Sequence, residues 1–266
     1  MEERIVIFGI SGQKRAGKDT IADYIKGQVI SSRVSFAEPV RDVCRAYFGW
    51  DDDWLLGKHK EDVDPYWGIS PRQAMQYLGT EVGRVGLAEN YPEFKSVTDD
   101  NIWIKKALQT IRNKSSDEYI NKFGKIRAFI IPDMRFLNEY SAIKKMVNEG
   151  FEVITIGVRR EGLPSDSHAS ETEIRYCVDK CDFILTNNRK ISDLEDSVDE
   201  IITESGVERK PDWMIATDVE RQLEMDLDGG SSGPYVDLEN YTLVDNELSL
   251  EDFEKKHGKK RLGDYA

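Results

Sequence analysis

The chain has 266 residues, with 37 Lys and Arg against 50 Asp and Glu, and a formal net charge of −13. A hydrophobic content of 39% over this length is enough for a buried core, so we expect one α/β domain of ordinary size with additional segments. The acidic balance argues against general binding to nucleic acids or anionic membranes. No apolar stretch is long enough for a transmembrane helix, and no signal peptide precedes the first predicted strand, so we expect a cytoplasmic protein.

The first predicted strand, 5–10, leads into a glycine-rich turn and then a helix at 19–27. Gly12, Gly17 and Lys18 have the G-x-x-x-x-G-K spacing of a phosphate-binding loop. Glycines let backbone N–H groups turn toward an anion without Cβ clashes, and the helix N-terminus and Lys18 add positive charge. Because the motif follows a buried-strand pattern and precedes a helix, we predict a nucleotide phosphate site.

The residue after Lys18 departs from the usual loop pattern. It is Asp19, where most phosphate-binding loops have Ser or Thr, and the hydroxyl comes one position later at Thr20. We hypothesise that Asp19 orients magnesium, directly or through water, and that Thr20 contacts a phosphate oxygen. The alternative is that Asp19 is a first-turn carboxylate favoured by the helix dipole.

Strands and helices alternate along the rest of the chain to about residue 204. After 51–69, which we expect to be an excursion loop with a mobile surface, Ser70 and Pro71 are typical of a helix start. The alternation predicts a three-layer P-loop NTPase fold with a largely parallel sheet. The further predicted strands are 32–37, 125–131, 151–158 and 182–186, and the further helices begin at Pro39, Ser70, Asn101, after Arg135 and at Ile191.

Several polar residues follow predicted strands. Asp133 and Arg135, Arg159 and Asn187 each come at or just after a strand end, as the phosphate loop does. Binding groups of such folds lie at the carboxyl ends of strands, and Arg is suited to gripping phosphate oxygens in pairs. Together with Arg72 at a helix start, these positions predict a phosphoryl-transfer site.

The cysteines and histidines show no metal-binding spacing. Cys177 and Cys181 are four residues apart, which on a helix would place both on one face, and with Cys44 we interpret them as reduced, partly buried thiols. The three histidines are scattered along the chain, so no zinc site is predicted.

Six stretches resemble the bacteriophage deoxynucleoside monophosphate kinases, in order and at similar spacing, over roughly residues 4–204. The Arg-Gln-x-x-Gln-x-Leu-Gly-Thr and Pro-Asp-x-Arg pieces are more specific than the phosphate loop. The resemblance implies ATP- and magnesium-dependent phosphorylation of a deoxynucleoside 5′-monophosphate in the host cytoplasm, with a kinase domain at 1–205, a lid at about 159–170, and homodimers as a common assembly. The stretches are Ser11–Thr20, Ala37–Asp42, Arg72–Thr80, Pro132–Arg135, His168–Glu171 and Asp182–Asn187.

The resemblance also implies roles for single positions. Lys18, Arg135, Arg159 and Asp133 would be catalytic, with Arg159 as a lid arginine. The ATP-side residues would be Gly12, Arg15, Ala16, Gly17, Lys18, Asp19, Thr20 and Asn187. The acceptor-side residues would be Lys14, Val40, Arg41, Arg72, Gln76, Trp103, Asp133 and Arg135.

Three of these roles have alternatives. Asp133 could instead order magnesium through water. Trp103 could stack on the acceptor base or be a core aromatic of its helix. His168 is expected to be a structural or lid residue and not a catalytic base, because the acceptor phosphate is already ionised.

Residues 206–266 lie outside the resemblance and form an acidic C-terminal extension. They hold 15 Asp and Glu against 8 Lys and Arg, so −7 of the total −13 lies here. Residues 229–234 are typical of a flexible linker, followed by an acidic stretch at 237–254 and a basic patch at 255–261. We expect a partly flexible appendage, and the alternative is a docking segment for a protein partner in nucleotide synthesis.

Other functions also fit parts of the sequence. A P-loop kinase for another small phosphorylated acceptor, such as dephospho-coenzyme A or phosphomevalonate, would need the same fold and arginines. A non-catalytic nucleotide-binding scaffold would not need the acceptor-side arginines. A nucleic-acid-binding ATPase conflicts with the charge balance.

Overall fold

The computed structural model describes residues 4–98, 102–163, 169–215 and 217–218, and for 169–172 the backbone alone. Three predicted features lie outside the described residues. They are His168, the centre of the predicted lid, and the linker and acidic stretch of the C-terminal extension. In the described part of the chain, no helix has both the length and the apolar character needed to cross a membrane.

The described strands form one five-stranded sheet in the order β2-β3-β1-β4-β5, and every neighbouring pair is parallel. All seven residues of β1 are buried, as expected for a strand covered on both faces. The predicted parallel sheet is therefore confirmed, and its carboxyl ends meet at one edge. The strands are β1 (Val6–Gly12), β2 (Ser31–Arg33), β3 (Ala128–Met134), β4 (Glu152–Arg159) and β5 (Phe183–Thr186).

Helices connect the strands and cover both faces of the sheet. They are α1 (Lys18–Gln28), α2 (Glu38–Phe48), α3 (Asp52–Leu55), α4 (Pro71–Gln76), α5 (Leu87–Asn90), α6 (Pro92–Thr98), α7 (Ile102–Lys114), α8 (Asp117–Phe123), α9 (Leu137–Lys145), α10 (Ala169–Lys180) and α11 (Ile191–Ser205). A π-helix, Tyr77–Gly86, continues α4, and 3₁₀ turns span Lys58–Glu61 and Met146–Glu149.

Alternate residues of β1 face opposite layers. Phe8 and its neighbours two residues away pack with α1 and α11, whereas Ile7 packs with α7 and α9 on the other face. This period of two is what a strand between two helical layers requires. The three-layer α/β arrangement predicted from the sequence is thus observed.

Residues 51–69 form a folded segment and not the predicted excursion loop. Leu55 is fully buried against Cys44 and Ala74, and Trp50 joins the same cluster. The Trp50 Nε1 donates a hydrogen bond to Asp64 Oδ2 at 2.6 Å, which closes the segment on itself. The prediction failed because a helix of four residues has no detectable period and its apolar partners lie on other helices.

Two other sequence predictions concern helices. Ser70 caps α4 as predicted: its hydroxyl accepts from the Gln73 N–H at 3.2 Å, and the Gln73 side chain accepts from the Ser70 N–H at 2.9 Å. Helix α10 was not predicted as an element, although Cys177 lies on it and the Cys181 thiol donates to the Cys177 carbonyl at 3.3 Å. Burial raises the pKa of both thiols to about 12, consistent with the predicted reduced thiols.

The ends of two strands differ from the prediction. Strand β2 stops at Arg33, before the predicted end at residue 37, and β3 continues through Asp133 to Met134. Strand β2 ends early because the Asp133 carboxylate holds the backbone of Phe36 and Ala37 in a turn, whereas β3 continues because Met134 pairs with Ser11 of β1.

The described start of the extension packs on the α/β fold. Gly206 ends α11 with a positive φ of 65°, and Arg209 then forms an antiparallel bridge with Val29. The Arg209 Nη1 donates to Asp199 Oδ1 at 2.7 Å, and the Lys210 N–H donates to the Gln28 carbonyl at 2.8 Å.

Candidate active site

The phosphate loop has the backbone geometry that its glycines predict. Gly17 has a φ of 109°, and a Cβ added to Gly12 would lie 2.8 Å from the Val158 carbonyl oxygen. Side chains at these positions would therefore be strained or would clash. The Lys18 Nζ donates to the carbonyl oxygens of Gly12 and Gln13 at 2.7 and 2.8 Å, which holds the ammonium group at the loop.

Asn187 joins the loop to the ends of β4 and β5. Its Nδ2 donates to the Ala16 carbonyl at 2.9 Å, and its backbone N–H donates to the Arg159 carbonyl at 2.8 Å. A Cβ on Gly17 would lie 2.4 Å from Asn187 Nδ2, so this contact also requires glycine at 17. The predicted ATP-side residues are thus brought together, and Asn187 acts on the loop directly.

A cleft of about 340 Å³ opens beside the loop. Its volume lies within the range of small-molecule sites, and it combines cationic groups with an apolar wall, the combination that a nucleoside polyphosphate needs. Arg160 and Arg189 were not singled out for this site from the sequence. The cleft is lined by Arg15, Gly17, Lys18, Asp19, Thr20, Arg160, Asn187, Arg189, Ile191 and Leu194.

The two arginines at the end of β4 make different contacts. Arg159, predicted as the lid arginine, forms an ion pair with Asp179 on α10. The Arg160 Nη1 lies 3.5 Å from the Arg15 carbonyl oxygen at the phosphate loop. In this conformation Arg160 faces the nucleotide cleft, and Arg159 would have to leave Asp179 to reach it.

Asp19 and Thr20 supply the oxygen donors that magnesium prefers. Both line the cleft beside Lys18, which fits a metal bound together with phosphate oxygens. In this structure the Asp19 carboxylate forms an ion pair with Arg33, and the Asp19 side chain is 77% exposed. Among the described residues, no cluster of three or more His, Cys, Asp or Glu could hold a metal on its own. A magnesium ion here would therefore depend on the phosphates for most of its ligands.

Asp133 organises the other side of the loop. Its carboxylate accepts hydrogen bonds from Ser35 Oγ at 2.6 Å and from the N–H groups of Phe36 and Ala37 at 3.2 Å. The Arg41 Nη2 donates to the same Ser35 Oγ at 3.0 Å. Asp133 thereby positions the turn that leads into α2 and, through Ser35, the guanidinium group of Arg41.

Glu139 fixes the turn that carries Arg135. The buried Glu139 carboxylate accepts from the backbone N–H groups of Arg135 and Phe136 at 2.7 and 3.1 Å. Burial raises its pKa to about 7, and the nearby Asp133 adds to this, while the two N–H bonds and Arg84 oppose it.

Three of the arginines predicted for the acceptor side act on one lysine. The charges of Arg41, Arg72 and Arg135 all lower the pKa of Lys60, after burial as the main cause. Arg72 also forms an ion pair with Glu61. Three residues predicted separately from the sequence therefore share one neighbourhood.

Trp103 packs against the π-helix. Its Nε1 donates to the Gly79 carbonyl at 2.7 Å, and a Cβ on Gly83 would lie 2.2 Å from the indole ring. The buried Val40 approaches the same helix, 3.6 Å from a Cβ added to Gly79. These contacts favour the core-aromatic alternative for Trp103. Lys14 and Gln76, which were also predicted for the acceptor side, have exposed side chains.

The two groups of residues flank the phosphate loop. In the sheet, Ser11 of β1 pairs with Met134 on one side, and Gly12 pairs with Val158 on the other. The cluster of Arg41, Arg72 and Arg135 therefore belongs to the β3 side, and the nucleotide cleft belongs to the β4 side. Such an arrangement can bring two phosphate-bearing molecules together at Lys18.

Comparison with known proteins shows a curated relative over most of the chain. A protein of Acanthamoeba polyphaga mimivirus, named "Putative deoxynucleotide monophosphate kinase", is 30% identical over 196 residues, which are 71% of this chain and 92% of the mimivirus protein. No family model matches the sequence.

Two of the solved structures that match this chain are kinases. An APS kinase mutant from Mycobacterium tuberculosis is 13% identical, with a TM-score of 0.34, over 75% of this chain and 98% of its own. Dephospho-CoA kinase from Campylobacter jejuni is 16% identical, with a TM-score of 0.38, over 75% and 96% respectively.

The mimivirus relative is matched over almost its whole length, and the loop, the parallel sheet and the flanking cationic residues are those of a phosphotransferase. The prediction of a kinase from the sequence motifs is thereby confirmed. This chain belongs to the same kinase family as the mimivirus protein.

Proposed function

We propose that this kinase transfers the γ-phosphoryl group of ATP to the phosphate of a deoxynucleoside 5′-monophosphate. The observation that carries the proposal is the presence of two cationic regions, one on the β3 side and one on the β4 side of the phosphate loop. A kinase that acted on an uncharged acceptor would not need the second. The name of the mimivirus relative supports a deoxynucleotide as the acceptor.

On the donor side, the loop backbone, Lys18 and Arg160 bind and orient the ATP phosphates. Asn187 holds the loop through the Ala16 carbonyl, and the apolar Ile191 and Leu194 wall of the cleft takes the nucleoside. Asp19 and Thr20 would hold magnesium, which when bound supplies charge neutralisation between the donor phosphates.

On the acceptor side, Arg41, Arg72 and Arg135 bind the acceptor phosphate. Asp133 positions Arg41 through Ser35, and Glu139 positions the backbone of Arg135. Phosphoryl transfer between two anions needs positioning and positive charge more than proton transfer, so this set of side chains suffices without a catalytic base.

The other predicted contacts remain part of the proposal. Lys14 reaches from the phosphate loop toward the acceptor phosphate, and Val40 and Gln76 border the acceptor nucleoside. Trp103 supports this border through its hydrogen bond to Gly79 of the π-helix. Arg159 would join the phosphates only after releasing Asp179.

The test is an ADP-release assay with ATP, magnesium and each deoxy- and ribonucleoside monophosphate, with Arg135→Ala as the control. Turnover with one or more deoxynucleotides, lost in the control, supports the proposal and names the base. Turnover with dephospho-coenzyme A and with no nucleoside monophosphate would overturn it.

A further inference from the structure

We propose that Lys60 is a fourth phosphate-binding cation of the acceptor site, beside Arg41, Arg72 and Arg135. The inference rests on the proposed function, because it assigns a residue to the acceptor half of that site. Lys60 comes from the segment 51–69, which contains none of the sequence-predicted site residues.

The first line of evidence is the position of the 3₁₀ turn Lys58–Glu61. Glu61 in this turn forms an ion pair with Arg72 at the start of α4. Lys60, the residue before it, is half-buried. Arg41 is held near the end of β3 through Ser35 and Asp133, two residues before Arg135. The charges of Arg72, Arg41 and Arg135 all act on Lys60, so the four cations come from four elements of the chain and lie within electrostatic range of Lys60.

The second line of evidence is how firmly the turn is held. It directly follows α3, whose Leu55 is fully buried. The ring of Trp54 stacks on His59 with centroids 5.1 Å apart, and the His59 Nδ1 lies 2.8 Å from Asp62 Oδ2. Lys60 is thus presented by an anchored turn and not by a free loop.

The third line of evidence is the balance of charge. Glu38 partners Arg41, and Glu61 partners Arg72. Among the described residues, the side chains of Lys60 and Arg135 have no hydrogen bond or ion pair. Unpaired cations this close repel one another, and burial adds to the cost of the Lys60 charge. A phosphate dianion in the same region would offset both the repulsion between the cations and the cost of burying the Lys60 charge, as a preorganised anion site requires.

The test compares Lys60→Met with the control Lys58→Met, since Lys58 is an exposed residue of the same turn. In the full-length kinase, Lys60→Met should raise the KM for the deoxynucleoside monophosphate about tenfold or more, with the KM for ATP unchanged. Lys58→Met should change neither. An acceptor KM within about twofold of wild type in Lys60→Met would overturn the inference.

A pH profile separates binding from a merely structural role. Because burial, Arg72, Arg41 and Arg135 lower the Lys60 pKa, and only Glu61 opposes this, Lys60 loses its charge at lower pH than an ordinary lysine. The acceptor KM of wild type should therefore rise on the alkaline side of neutrality, at a lower pH than an ordinary lysine would cause, and Lys60→Arg should remove that rise. We use dCMP or dAMP, whose bases do not titrate in this range. An identical rise in Lys60→Arg would contradict the inference.

Failure of the proposed function would give a different pattern from failure of this inference. If no deoxynucleoside monophosphate is turned over, the same two variants are compared for calorimetric binding of inorganic phosphate. Weaker binding in Lys60→Met alone still supports Lys60 as a phosphate ligand, and equal binding in both variants overturns it.

Discussion

Arg159 and Arg160 show how neighbouring residues of one type can have different roles. The Arg159 guanidinium is paired with Asp179, whereas Arg160 reaches the Arg15 carbonyl beside the nucleotide cleft. Successive residues at the end of a strand point to opposite sides, so only one of the two can face the loop in a given conformation.

We predict that Arg160→Ala raises the KM for ATP about tenfold, because a charged contact to phosphate contributes about 1.5–3 kcal/mol. Arg159→Ala serves as the matched variant and should change the KM for ATP less than about threefold, since its ion pair is exposed. Steady-state kinetics at saturating acceptor measure both. A larger increase in the KM for ATP in Arg159→Ala than in Arg160→Ala would show that Arg159 releases Asp179 and acts as the lid arginine.

Asp133 shows a limit of sequence interpretation at the same scale. The Pro-Asp-x-Arg motif placed a carboxylate near the carboxyl end of a strand, and the structure agrees. Its three hydrogen bonds go to residues 35–37, about a hundred positions earlier in the chain. No local pattern encodes a contact at that separation, so the positioning role emerged only from the fold.

At the level of elements, the turn between β3 and α9 is controlled by one buried carboxylic acid. Glu139 accepts the N–H groups of Arg135 and Phe136, the two residues that precede α9. The pKa of Glu139 is raised by burial to about 7, compared with an ordinary value of about 4.3, so the folded chain keeps a proton that the unfolded chain releases.

This raised pKa gives stability a defined pH dependence. The contribution of Glu139 is fully present below about pH 4 and is lost as pH rises through its folded pKa near 7. Relative to wild type, Glu139→Gln, which keeps an oxygen acceptor, should gain up to about 3 kcal/mol between pH 5 and pH 8. Urea unfolding of both proteins at the two pH values measures this. A constant difference would mean that Glu139 is ionised in the folded protein throughout.

The elements differ in how far the sequence predicts them. Strand β1, the capped start of α4 and the glycine-ended α11 carry strong local signals and were predicted close to their observed bounds. The fold of residues 51–69 was not predicted, because the burial of Leu55 and of the preceding Trp50 depends on partners from α2 and α4. Lys60 was missed for the same reason, since only the packing of that segment brings it to the arginines.

In the whole molecule, the described start of the extension contributes to the fold. Arg127 pairs with Glu208, and Arg209 ties Asp199 on α11 to the end of α1. The predicted kinase domain of 1–205 would end before these contacts.

We therefore predict that a chain truncated after residue 205 is less stable than one truncated after residue 218, by about 1–3 kcal/mol. The longer chain should keep the wild-type kcat, because the proposed site residues lie between Gly12 and Arg189. Urea unfolding and kinetics of the two chains measure this. Equal unfolding free energies would show that residues 206–218 add no stability.

The central claim is that the two phosphate-binding regions act on one transfer event, from ATP to a deoxynucleoside monophosphate. The most direct measurement follows a label on the γ-phosphate of ATP in the presence of each deoxynucleoside monophosphate and magnesium. We predict that the label appears in the β-phosphate of the deoxynucleoside diphosphate, and that Lys18→Met abolishes the transfer. Label found only in inorganic phosphate, or retained in ATP with every deoxynucleotide, would contradict the claim.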